Sequence, residues 1–86
     1  MNSVDYDIKT TYNTYPSGSW GYCLRLGAQP NYHRLDGPAY YDAFMKSTEW
    51  WVNGVFIMRE SPGHPYSTKD FLMYLKAVRD FKKGIL

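Results

Sequence analysis

The stretch EWWV-NG-VFIM, residues 49–58, constrains the fold more than any other part of this chain. Two apolar runs flank an Asn-Gly pair. Both Asn53 and Gly54 tolerate positive φ, which a tight two-residue turn needs at its two central positions. The spacing therefore predicts a β-hairpin, with Trp51 paired across the strands with Phe56 or Val55.

Other segments extend this hairpin into a sheet. SVDYDIKTTY alternates, with Val4, Tyr6 and Ile8 on one side and Asp5, Asp7 and Lys9 on the other, a period of two that predicts a strand. YPSGS then breaks the chain at Pro16 and Gly18. In SWGYCLRLG, Trp20, Tyr22, Leu24 and Leu26 share one face and Gly21, Cys23 and Arg25 the other, which predicts a strand with its larger groups inward. AYYDAF reads as a strand opening just after Pro38, and MKST as a short polar connection to EWWV.

RESPGHP stops the sheet with two prolines and a glycine. YSTKDFLMYLKAVRDFKKG then reads as a helix. Ser67 or Thr68 caps it, and Asp70 stands where a capping box needs an acceptor. Lys82 and Lys83 suit the negative end of the helix dipole, and Gly84 suits the position just past the end. Phe71, Tyr74, Leu75, Val78 and Phe81 form the face expected to pack on the sheet. Lys69, Lys76, Asp80 and Lys83 lie opposite, yet Leu72 and Met73 flank them. A helix resting on one sheet has no use for those two side chains, so they raise the expectation of a second contact surface.

The predicted fold class is α+β: a small antiparallel sheet of four or five strands built from hairpins, packed against one C-terminal helix. The 86 residues form one expected domain. Residues 1–18 are an N-terminal strand or loose arm, 19–60 the hairpin sheet and 67–83 the amphipathic helix. So short a chain has little core to spare. Phe, Trp and Tyr make up 19% of it and offset that shortage. Nine tyrosines exceed what one small core can use, so some are expected at the surface, where Tyr commonly serves binding.

Charge and cysteine content narrow the function. A net charge of +2 permits nucleic-acid binding without demanding it. The single cysteine, Cys23, excludes an internal disulfide. No Cys/His cluster suggests zinc, and no GxGxxG, P-loop or HExxH motif suggests a nucleotide or metal, so no cofactor is expected. No signal-peptide core and no stretch of membrane-spanning length is present, and a reducing cytoplasm is the expected location.

NYHRLDGPAYY, residues 31–41, gathers His33, Arg34 and Asp36 within four positions. As backbone it reads as a turn. Asp36 folds back onto nearby amides, Gly37 supplies a conformation other residues avoid, and Pro38 launches the next strand. Arg34 then pairs with Asp36 or Glu49, and His33 packs on an aromatic ring. A catalytic reading needs nucleophile, base and orienter in mutual reach. Cys23, His33 and Asp36 supply the types, as do His33 and His64 as an acid–base pair with Arg34 on a phosphate. No local signature surrounds either set, and an enzyme is not expected.

HRLDGPA followed by EWWVNG resembles a short repeat of phage and large-virus proteins, H-R-x-D-G-P-A then W-[WY]-x-N-G, grouped with MORN-like hairpin repeats. His33, Arg34, Asp36, Gly37, Pro38, Ala39, Trp50, Trp51, Asn53 and Gly54 match, over residues 18–60. Met58-Arg59 stands where a second H-R would follow, so the neighbouring units are eroded. The resemblance implies stacked hairpins extending one sheet and carries no catalytic residues. It implies a bacteriophage source, and small phage proteins of this kind often bind and block a host factor.

The first functional expectation is therefore a phage accessory protein that inhibits a host defence or toxin–antitoxin protein, such as a ribonuclease toxin, in the host cytoplasm. RNA in the complex is a variant of it. The alternatives are an RNA- or DNA-binding protein and a structural or virion-associated one. Residues expected to meet a partner or nucleic acid are Arg25, Arg34, Arg59, Leu72, Met73, Lys76, Arg79, Lys82 and Lys83. Open sheet edges invite pairing, so a homodimer is a further expectation.

Overall fold

The structure, a computed structural model, describes residues 10–24 and 31–84. Five strands, β1 (Thr11–Thr14), β2 (Trp20–Cys23), β3 (Tyr40–Asp42), β4 (Ser47–Val52) and β5 (Val55–Glu60), precede one helix, α1 (Thr68–Lys82). The strands form one antiparallel sheet in the order β1-β2-β3-β4-β5. The fold is α+β, a hairpin-built sheet with one C-terminal helix. Val4, Tyr6, Ile8, Arg25 and Leu26 lie outside the described residues.

Local chemistry makes each hairpin. Tyr15 accepts from the Gly18 amide at 2.9 Å, and Gly18 takes φ +96°, so Pro16, Ser17 and Gly18 form a three-residue connection that ends in a glycine. Asn53 and Gly54 both take positive φ, 52° and 80°, and Val52 pairs with Val55. The Trp51–Phe56 pairing forms, with ring centroids 5.5 Å apart.

The β3–β4 connection differs from the expected one. AYYDAF stops being a strand at Asp42, and Ser47 and Thr48 already belong to β4. Asp42 Oδ1 accepts the amides of Phe44 (2.9 Å) and Met45 (3.2 Å), which turns the chain, and Lys46 closes the turn at φ +55°. Phe44 therefore stands at a hairpin tip rather than in a strand.

The HRLDGPA segment is an excursion from the third strand position. Tyr32 bridges Cys23 beyond the end of β3, the His33 amide donates to Tyr22 O, and Arg34 N–H donates to Trp51 O. Ala39 then returns, accepting from Tyr22 N and donating to Glu49 O. Residues 34–38 leave the sheet between those two anchor points. Glycine at position 37 is used for space and not for an unusual φ, correcting the expectation. A Cβ there would meet the Arg34 guanidinium carbon at 3.1 Å, and Gly37 is not among the positive-φ residues.

The core lies between α1 and the β4–β5 half of the sheet. Trp50, Val52 and Met58 meet Tyr74, Ala77 and Phe81, with Leu35, Ile57 and Val78 packed alongside. The β4–β5 register shifts at Trp50/Trp51, leaving Ile57 and Met58 opposite Trp50. Such a bulge lets two adjacent side chains serve one face, and both pack with the core. The helix buries a narrower stripe than its sequence suggests. Leu75 is exposed and Phe71 stacks on Tyr66 (5.8 Å, 22°), while the small Ala77 lets the helix approach.

Because α1 spans only β4 and β5, the larger groups of β2 are not the inward ones. Gly21 and Cys23 are buried, whereas Trp20 and Tyr22 are half-buried. Gly21 lies beneath the Tyr32 ring, where a Cβ would come within 2.8 Å of it. Trp20 and Tyr22 instead join Tyr12 and Tyr41 in an aromatic cluster beside the helix-covered area, with neighbouring centroids 5.0 to 6.1 Å apart.

Candidate interaction surface

His33 is buried, and its ring lies 4.5 Å from that of Phe81. Its Nδ1 accepts the Asn53 amide at 2.8 Å, which leaves the ring neutral, and burial pushes its pKa below the usual histidine value. The histidine thus fastens the Asn-Gly turn. His64 follows β5 at the other end of the β4–β5 hairpin, roughly 20 Å of strand away. The two histidines are not brought together as an acid–base pair. Burial pushes the Cys23 thiol up, against hydrogen bonds from Asn13 and Tyr15 that pull the other way. A thiol so placed is a poor nucleophile.

Arg34 is held on three sides. Its Nε donates to Asp36 Oδ1 at 2.9 Å, its Nη1 donates to Pro38 O at 3.1 Å, and its guanidinium lies 4.3 Å from the Tyr22 ring centroid. It pairs with Asp36, while Glu49 takes Arg59 instead. A groove of about 620 Å³ opens beside it, lined by Tyr22, His33, Arg34, Asp36 and Lys82 among others. The exposed Asp36 carboxylate beside Arg34 works against a phosphate in this groove.

The opposite sheet face carries a second polar knot. Glu49 is buried, with Trp51 Nε1 donating to one carboxylate oxygen at 2.9 Å and Arg59 Nε to the other at 3.2 Å. Tyr32 lies between Tyr40 (4.8 Å) and Trp51 (5.4 Å), and Arg59 covers Phe56 at 5.7 Å. These rings meet at 40° and 62°, packing on each other rather than offering parallel plates. Burial pushes the Tyr32 hydroxyl well above its ordinary pKa.

The basic residues named from the sequence therefore do not form one patch. Arg59 lies on the face away from α1, since its neighbour Met58 points into the helix-covered core and strand side chains alternate. Arg25 falls outside the described residues. Lys76, Arg79, Lys82 and Lys83 do share the end of α1. Lys76 Nζ donates to Asp80 Oδ2 at 2.7 Å, and holds that carboxyl below its usual range.

Around those cations the helix is apolar. Leu72 is 58% exposed, Met73 52% and Leu75 46%. At about 100° per residue, Leu72 and Arg79 point away from the buried stripe of Tyr74, Ala77 and Phe81. Met73 turns toward β5, where a shallow groove is lined by Ile57, Met73, Lys76, Ala77 and Asp80. A second apolar feature, missed in the sequence, is the β3–β4 tip, with Phe44 88% and Met45 60% exposed. An apolar pair straddling an Asx turn was its only signal.

Among the described residues no helix is long and apolar enough to cross a membrane, and no three His, Cys, Asp or Glu side chains gather to hold a metal. Comparison with known proteins gives no significant match to any family model, curated protein or solved structure.

Proposed function

We propose that this chain is a non-enzymatic binding module that docks on and inhibits a host factor, a defence or toxin–antitoxin protein of the ribonuclease-toxin kind, inside the host cytoplasm. The observation that carries the reading is the exposed apolar side of α1. Leu72, Met73 and Leu75 stay in water although the helix already buries Tyr74, Ala77 and Phe81. Leu72 and Leu75 are neighbours on that outer face, and adjacent exposed apolar side chains mark contact surfaces more often than single scattered ones do. The arrangement of His33, Cys23 and Arg34, each engaged in holding the fold, supports a binder over a catalyst. The phage source and the homodimer rest on the sequence resemblance and on the sheet edges at β1 and β5.

The test is affinity capture with tagged protein from host lysate, with and without ribonuclease, followed by mass spectrometry. A stoichiometric host protein that survives ribonuclease and whose activity falls on binding is the expected result. Loss of every partner on ribonuclease treatment overturns the reading. That outcome favours the second one, RNA binding through Lys76, Arg79, Lys82 and Lys83, whose gathering at one helix end is its specific support. Binding of that kind weakens steeply with salt.

A further inference from the structure

On the protein-binding reading above, we infer that the outer face of α1 docks an acidic partner surface, one that sets glutamates or aspartates around an apolar strip. The face is built on a helical repeat. Lys69, Leu72, Lys76, Arg79 and Lys83 follow one another at steps of three and four, and so lie along one line. Leu75 and Lys82 run beside that line, seven apart. The helix and its C-cap residue Lys83 together carry five cations and only two carboxylates, Asp70 and Asp80. Neither carboxylate opposes an incoming acid. Asp70 serves the capping box at the N-terminus, and Asp80 is hydrogen-bonded to Lys76 on the side toward β5.

The charge pattern therefore calls for negative charge in the occupant, and the leucines decide what kind. A phosphate backbone needs donors and, between them, aromatic rings on which bases stack. The outer face has no ring. Tyr74 and Phe81 are buried, and Phe71 is stacked on Tyr66. Leu72 would stand under a nucleic-acid strand with nothing apolar to meet. A lipid surface asks for a broad apolar face to bury. Here the broad face is already spent on Trp50, Val52 and Met58. A protein surface with an apolar strip between acids satisfies both demands, because Leu72 and Leu75 find contacts and the surrounding cations find carboxylates.

A cationic face does not imitate RNA, which is anionic. Inhibition through α1 engages an acidic region of the target rather than filling a phosphate-binding cleft.

The test is a titration of isotopically labelled full-length protein, read by amide chemical shifts. The probes are a synthetic amphipathic peptide with a leucine stripe flanked by glutamates, the same peptide with lysines for glutamates, an oligouridine and vesicles rich in phosphatidylglycerol. The glutamate peptide is expected to shift the amides of Leu72, Leu75, Lys76 and Arg79, with the other probes weaker. Leu72→Asp and Arg79→Glu are each expected to raise its midpoint about tenfold, as loss of an interface anchor does. Both positions are exposed, and an unchanged unfolding curve checks that the variants keep the fold. Oligouridine or vesicles binding this face as tightly as the peptide, or no probe shifting it, overturns the inference. Lysate capture separates this from failure of the broader reading. A host protein captured equally by wild type and Leu72→Asp overturns the helix surface alone, whereas absence of any captured protein overturns both.

Discussion

The Tyr74 hydroxyl donates to the Arg34 carbonyl at 2.7 Å and accepts from the Gly37 amide at 3.3 Å. One side chain of the helix thus satisfies the backbone of the loop that interrupts the third strand. Tyr74 is buried and joins the core through its ring. Tyr74→Phe keeps the ring and removes the hydroxyl, leaving a carbonyl and an amide without partners. A loss of about 1–3 kcal/mol is expected. For a domain of this size each kcal/mol lowers Tm by about 4–8 °C. Urea and thermal unfolding measure it, and a variant as stable as wild type would show that water replaces the hydroxyl at no cost.

His33 gives the fold a pH dependence whose sign is fixed by its environment. Burial lowers its pKa below 6.5, while the unfolded chain titrates near 6.5. Between the folded and unfolded values the unfolded state binds more protons, so stability rises with pH across that window. The contribution is fully present above the unfolded value and is lost as pH falls toward the folded one. Protonation also costs the acceptor used by the Asn53 amide. The urea midpoint is expected to fall between about pH 7.5 and about pH 5.5, and His33→Gln is expected to flatten that part of the profile. The same slope in the variant would assign it to another group.

Two glycines at the same φ separate backbone strain from crowding. Gly54 and Gly63 both sit at φ +80°. A Cβ on Gly63 meets nothing within 4 Å, whereas on Gly54 it comes within 2.8 Å of Asn31 Oδ1. Gly63→Ala is expected to cost about 1 kcal/mol, the left-handed penalty less what the stiffer unfolded chain returns. Gly54→Ala costs more, because the Asn31 amide must also move beside the Gly54–Tyr32 backbone hydrogen bond. Equal losses in denaturant melts would mean that Asn31 yields freely.

Where the chemistry is local, the sequence could be read. Asn53-Gly54 demanded a turn because few other pairs accept two positive φ values in succession. Ser67 and Asp70 marked the helix start, and the reciprocal capping bonds form at 3.1 and 3.4 Å. What depended on distant partners could not be read. How far Trp20 is covered is decided by how much of the sheet α1 spans, and α1 begins more than forty residues later. Leu75 fitted the apolar face by periodicity, but the buried stripe runs through Tyr74, Ala77 and Phe81, rotated away from Leu75, which stays exposed. In the candidate surface, Leu72 and Met73 stood out because they broke a local pattern. Phe44 did not, since an aromatic after AYYDA continues a strand pattern, and only Asp42 bonding back to two amides ends it.

The two exposed apolar features, the β3–β4 tip and the outer face of α1, make separable claims on a partner. Phe44 is 88% exposed and hangs beyond an Asx turn whose bonds come from Asp42, so its side chain supports nothing beneath it. Phe44→Ser is expected to change stability by no more than about 0.5 kcal/mol, as surface substitutions do. Met58, 3% exposed and packed in the core, sets the contrast, with Met58→Ala expected to cost about 2–5 kcal/mol. If α1 is the docking face, Phe44→Ser also leaves partner capture unchanged, while Leu72→Asp clearly weakens it at the same stability. The reverse pattern, capture lost with Phe44→Ser and kept with Leu72→Asp, moves the interface to the tip. There, apolar insertion would replace charge pairing as the source of affinity, and capture would resist salt that weakens exposed charge pairs.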